Sequence, residues 1–271
     1  MQIFKRLFDF YINSSIHVAL SVYVLAKMTQ FIFHIADDSA VCYFAFFGTI
    51  VGYNFVKYDA LARTKKMRMS NQVKAFAVLS FLSFLATVYY FFKLQLVTQG
   101  IAAFFLLLTL LYTLPFFPNK GNARNWAGVK IYIVTLCWVG VTLFLPVINS
   151  GITLTIDVLL VAVQRFILVF VLILIFEIID LENDDPHLLT VPQEIGVNQT
   201  KIIGSTLLFI FMILEFLDTN FRQQALLLKA GIALTVFLFL LFANEKRSKY
   251  YTSFWVESIP ILWWILLLIF T

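Results

Sequence analysis

Nine long apolar runs, separated by short polar stretches, divide the chain at about 16–35, 40–57, 74–92, 99–117, 128–148, 157–180, 201–217, 224–243 and 253–270. A helix needs about 20 consecutive apolar residues to cross a bilayer, so each run predicts one span. No stretch alternates with the period of two that a barrel strand requires. The first run carries His17, Lys27 and His34, and an amphipathic helix lying partly in the interface is its alternative reading. Lys5 and Arg6 precede a run interrupted by polar residues, with no small-residue cleavage site, so a signal peptide is not expected. Nine spans consume roughly 180 residues and leave about 90 for loops and tails. The expectation is an all-α polytopic membrane protein, a nine-helix bundle formed by residues 1–271 as one domain.

Composition closes off the soluble alternative. Of 271 residues, 61% are hydrophobic and 13% charged, which is too little polar surface to cover a water-facing globule. Cys42 and Cys137 both lie inside apolar runs, so no disulfide framework is built. A net charge of +5 suggests nucleic acid until its distribution is read, because the basic residues sit between apolar runs. With a cytoplasmic N-terminus, that side collects Lys5, Arg6, Lys57, Arg63, Lys65, Lys66, Arg68, Lys74, Lys120, Arg124, Lys130, Lys201, Lys246, Arg247 and Lys249. The opposite loops keep Lys93 and Arg222. This is the positive-inside pattern, and it predicts an external C-terminus, a lipid bilayer as partner and no nucleic acid.

Acidic residues are scarce, yet Glu177, Asp180, Glu182, Asp184, Asp185 and Glu194 cluster where the sixth run meets a cytoplasmic loop. Glu177, Asp180 and Asp184 are spaced three and four apart, so on a continuing helix they share a face. Carboxylates crowded at membrane depth repel one another, and a cation is the simplest partner; oxygen-only ligands favour Mg²⁺. A solvated acidic cap at the end of a helix is the competing reading.

The stretch Glu177-Ile-Ile-Asp180-Leu-Glu182-Asn-Asp184, followed by Thr190-Val-Pro192-Gln-Glu-Ile-Gly196, resembles the second aspartate motif of the UbiA superfamily of membrane prenyltransferases. That motif reads approximately D-x-x-D-x-E-x-D and then T-L-P-x-x-x-G. Leu111-Tyr112-Thr-Leu-Pro115 is similar to the family's Tyr/Pro segment, and nine helices is its architecture. The resemblance implies a cavity at the cytoplasmic side where Mg²⁺ and a polyprenyl diphosphate bind, with the prenyl group passed to an aromatic, lipid-soluble acceptor. It makes Asp180 and Asp184 catalytic Mg²⁺ ligands and adds Glu177 as a metal ligand on a longer arm than the family's aspartate.

The family's first motif, approximately N-D-x-x-D-x-x-x-D, falls on Gly52-Tyr53-Asn54-Phe55-Val56-Lys57-Tyr58-Asp59. Only Asn54 is in register. Phe55, Tyr58 and Ala62 stand where acids are expected, and Asp59 is one residue out of phase, about 100° around the helix. Two consequences are open. In the first, Lys57 replaces a metal ion by fixed charge, so that Asn54 and Lys57 bind the diphosphate and serve catalysis, assisted by Tyr112, Lys120 and Arg124. In the second, the chain is a catalytically inactive relative that binds an isoprenoid or quinone-like lipid or supports a partner enzyme. Arg63, Lys65, Lys66 and Arg68 read as topology signals. Arg165 lies about three turns before Glu177, a costly depth unless paired or wet.

Overall fold

The computed structural model describes residues 2–64, 71–113, 128–182, 184, 188–219 and 222–270, the side chains of residues 2, 59–64 and 71 excepted. Its helices are α1 (Gln2–Asn13), α2 (Ile16–Ile32), α3 (Ser39–Thr64), α4 (Asn71–Phe91), α5 (Leu96–Thr113), α6 (Val129–Val139), α7 (Leu145–Asn149), α8 (Ile156–Asp180), α9 (Val191–Leu214), α10 (Gln223–Phe242) and α11 (Ile259–Phe270). Among the described residues, eight segments are long and apolar enough to cross a membrane, and α1 with α2, bent by 55°, makes a ninth if counted as one span. The protein is an all-helical, multi-pass membrane bundle.

The chain forms two compact units, residues 1–103 with 141–152 and residues 104–140 with 153–271. In the first, α3 packs between α2 and α4 over a core that includes Ala26, Val41, Cys42, Leu94 and Leu145. Buried polar groups are satisfied across it: Thr29 Oγ1 donates to the Thr142 carbonyl at 2.6 Å, and Asn149 accepts from the Gln95 amide at 2.9 Å while donating to Asp38. Its outer faces are apolar, with Phe81, Leu82, Phe84 and Leu85 of α4 exposed, as lipid-facing positions must be.

In the second unit α8 is the buried centre, packed by α6, α9, α10 and the π-helical segment Tyr251–Val256. Thr155 caps its start, accepting from the Val158 amide at 3.4 Å, with Asp157 in the first turn. α6 passes through a π-helical turn, Gly140–Phe144, into α7, where Pro146 removes a backbone donor. Gly140 is required there, because a Cβ would sit 2.0 Å from the Phe105 ring.

Two elements depart from the apolar runs. Residues 2–13 are helical, although their alternating apolar and charged residues form no continuous run. α9 starts at Val191 rather than near 201, because Thr190 and Pro192 open a helical turn that bends at Gly196 (φ 81°, ψ 158°) before the apolar stretch continues.

Candidate functional site

The second motif is built by the end of α8 and the beginning of α9, both in the second unit. α8 ends at Asp180, and the Asp184 amide donates to the Asp180 carbonyl at 2.8 Å, so one backbone hydrogen bond of helical spacing links the two acids. A helix C-terminus carries partial negative charge, and two carboxylates placed there demand a cation. Lys130, at the start of α6, supplies one: its Nζ lies 3.7 Å from Asp184 Oδ2. That oxygen is buried and has no hydrogen bond among the described residues. Asp180 is exposed.

Glu177 occupies a different environment. It is buried, and its Oε2 accepts from the Val191 amide at 3.1 Å. Val191 opens α9, whose first amides lack intrahelical partners and carry partial positive charge, so the carboxylate satisfies an orphan donor and the dipole together. The Thr190 amide in turn donates to Gln193 Oε1 at 2.9 Å, one half of a capping box. Thr190 Oγ1 is buried with no hydrogen bond among the described residues. Gly196 bends α9 in a region of backbone space that essentially only glycine enters. The Thr-x-Pro-x-x-x-Gly run is thus a capped and kinked helix start that presents Val191 to Glu177.

Among the described residues, no three His, Cys, Asp or Glu side chains gather as a ready-made metal site. The oxygen donors nevertheless suit Mg²⁺, which takes one or two carboxylates and completes its shell with water and substrate phosphate. Asp180 and Asp184 meet that description; Glu177 is engaged with α9.

Tyr112 is buried near the end of α5 in the same unit. Lys120 and Arg124 lie outside the described residues, as do Lys65, Lys66 and Arg68 and the side chains of Asp59 and Arg63.

The first-motif residues belong to the first unit. Asn54 is buried; its Nδ2 donates to Ser80 Oγ at 2.9 Å, and its Oδ1 has no hydrogen bond among the described residues. Lys57 Nζ donates to Ser15 Oγ at 3.0 Å, and the Tyr58 hydroxyl donates to the Asn13 carbonyl at 3.0 Å. Tyr58, at a position that the resemblance assigns to an acid, and its neighbour Lys57 instead hold the corner between α1 and α2.

No protein-family model matches the chain, and no curated protein matches it. Solved structures do. A UbiA homologue from Archaeoglobus fulgidus bound to Cd²⁺ superposes with a TM-score of 0.64 at 14% identity, covering 94% of this chain and 97% of that one. An apo UbiA homologue from Aeropyrum pernix K1 gives 0.64 at 14% identity over 95% and 98%. The chain has the UbiA-type fold. The A. fulgidus homologue bound to GPP and Mg²⁺ gives 0.62 at 13% identity over 95% of this chain and 97% of that one. A structure described for digeranylgeranylglyceryl phosphate synthase gives 0.58 at 14% identity over 98% and 96%. At these identities the likeness establishes the architecture.

Sequence reasoning missed Lys130 as the partner of the acids and the anchoring of α9 by Glu177. Lys130 was visible as the first cation of the fifth apolar run, but its proximity to Asp184, 54 positions further along the chain, comes from helix packing.

Proposed function

We propose that the protein is an intramembrane prenyltransferase that moves a prenyl chain from a polyprenyl diphosphate to an aromatic, lipid-soluble acceptor. The observation that carries this reading is the environment of Asp180 and Asp184: two acids linked by a backbone hydrogen bond at the end of α8, with Lys130 beside Asp184, on a UbiA-type fold. In this reading Asp180 and Asp184 hold Mg²⁺, which when bound offsets the charge that develops on the departing diphosphate oxygens. Lys130 neutralises Asp184 and is near enough to meet a diphosphate oxygen. Glu177 is a positioning residue, fixing the start of α9 against the end of α8.

The prenyl C1–O bond breaks, its electron pair leaves with the diphosphate, and an acceptor electron pair forms the new bond as a proton departs. Tyr112, Lys120 and Arg124 are proposed to complete the surroundings of the diphosphate, and the motif resemblance, not the fold, is what assigns Asn54 and Lys57 to it. The 271 residues act as one catalytic domain, with the N-terminus and the site cytoplasmic and the C-terminus outside. Support for a prenyl diphosphate and a divalent ion comes from the motif together with the GPP- and Mg²⁺-bound homologue.

A second reading, an inactive relative that binds an isoprenoid or quinone-like lipid or supports a partner enzyme, is favoured by Lys57 and Tyr58 being engaged by the α1–α2 corner. Purified protein given Mg²⁺, a panel of prenyl diphosphates and aromatic acceptors separates the two. The enzyme releases pyrophosphate and forms a prenylated product; the inactive relative binds without release. Lys57→Met sharpens the distinction, weakening diphosphate binding by about 1.5–3 kcal/mol in the enzyme, the scale of a charged hydrogen bond, and leaving it unchanged in the relative.

A further inference from the structure

Neither the acids nor the diphosphate-binding candidates use the front half of α1. This helix meets α2 through Ser14 and Ser15, the latter in the left-handed region at φ 63°. Its second half is docked: Phe10 stacks on Phe76 with ring centroids 5.3 Å apart, and the Asn13 carbonyl and Ser15 hydroxyl accept from Tyr58 and Lys57. α4 becomes a candidate span, by length and composition, from Gln72, so Phe76 holds this docked half close to the start of an apolar span.

The first half is bare. Ile3, Phe4 and Leu7 are 76%, 78% and 64% exposed, beside exposed Lys5 and Arg6. At about 100° per residue the three apolar side chains share one arc of roughly 100°, with both cations outside it. Asp9 is the one acid in the helix. An apolar stripe flanked by cations, tethered where spans meet water, is built for a lipid surface rather than for water.

We propose that α1 is a membrane-surface anchor that seats Ile3, Phe4 and Leu7 at the boundary between headgroups and acyl chains of an anionic leaflet, with Lys5 and Arg6 on the headgroups. The occupant is the bilayer because the stripe carries its own flanking positive charge and its helix is joined directly to a membrane helix. This holds whether or not the chain is a transferase.

The test uses the full chain with Cys42 and Cys137 changed to Ala and a nitroxide on either Phe4→Cys or Lys5→Cys. The protein is reconstituted in phosphatidylcholine vesicles or in vesicles that also contain phosphatidylglycerol. In the anionic vesicles the label at 4 collides with oxygen and is shielded from a water-soluble nickel chelate, and the label at 5 shows the reverse. Arg6→Gln, read by the label at 4, lowers the ratio of inserted to withdrawn helix about fivefold in anionic vesicles and leaves it unchanged in phosphatidylcholine. Equal nickel access at both positions overturns the proposal. So does a label at 4 shielded from both agents, which would mean that protein covers the stripe, or insertion that ignores phosphatidylglycerol. Amide exchange of residues 3–8 in the unaltered chain gives an independent reading: slower exchange in anionic vesicles is expected, and equal rates in the two lipids contradict it.

Discussion

Removing Lys229 strands a carboxylate inside the membrane. Lys229 of α10 bonds Glu215 at the end of α9, and Gln164 of α8 ties both, donating from Nε2 to Glu215 Oε2 at 3.1 Å and accepting at Oε1 from Lys229 Nζ at 3.0 Å. The Glu215 side chain is 1% exposed and that of Lys229 12%, while Gln164 lies roughly 12 Å below the first residue of α8. Water therefore does not replace a lost partner. Breaking one side of such a pair costs about 3–5 kcal/mol, whereas removing both charges together is close to neutral or stabilising. Lys229→Met is accordingly expected to lose about 3–5 kcal/mol, and adding Glu215→Leu to recover most of it. Reversible unfolding in mixed detergent micelles, run as a double-mutant cycle, reads the coupling directly. Were the network an ordinary set of interhelical hydrogen bonds, each single change would cost only about 0.6 kcal/mol. Small, additive losses would refute the reasoning.

The bend in α9 should depend on glycine for its backbone conformation: among the described residues, nothing outside its own helix lies within 4 Å of a Cβ built on Gly196, so Gly196→Ala is expected to cost about 1–3 kcal/mol in the same unfolding assay. Because that bend lies five residues beyond the turn held by Glu177, the variant should also weaken Mg²⁺-dependent ligand binding. Lys130→Met removes the cation that holds Asp184, and should tighten binding of Mg²⁺ alone about fivefold, the upper end for a partly exposed pair, while weakening diphosphate binding; calorimetric titration checks both signs. Topology is tested with cysteines at the exposed positions Thr153 and Ser248, which should react with an impermeant thiol reagent from opposite sides of sealed vesicles; same-side labelling would remove the cytoplasmic site.

Apolar runs marked most helices to within a few residues because lipid imposes the simplest of patterns, a long stretch without charge. α1 escaped for the opposite reason: its apolar side chains are interleaved with Lys5, Arg6 and Asp9, so no run forms. The start of α9 was hidden by Gln193, Glu194, Asn198 and Gln199, which read as loop although Thr190 and Pro192 are helix-start residues. At the candidate site, the three-and-four spacing of Glu177, Asp180 and Asp184 suggested a common face. The structure links Asp180 to Asp184 by a backbone hydrogen bond but engages Glu177 with the amide of Val191, a contact that depends on where α9 begins. Lys229, unremarked inside its apolar run, shows the same limit. A lysine at that depth signals a partner, yet which acid it meets is decided by packing.

The central claim, that Asp180 and Asp184 bring a metal ion and a prenyl diphosphate together, is tested most directly by titrating geranyl diphosphate into purified protein with and without Mg²⁺, in wild type and in Asp180→Asn and Asp184→Asn. These amides keep the side-chain shape and remove the charge. The expected result is binding that requires Mg²⁺ and falls at least about tenfold in each variant, the loss of one charged contact, with unchanged helicity. Equal affinity with and without Mg²⁺ in all three proteins would contradict the account and leave the acids as a solvated helix end.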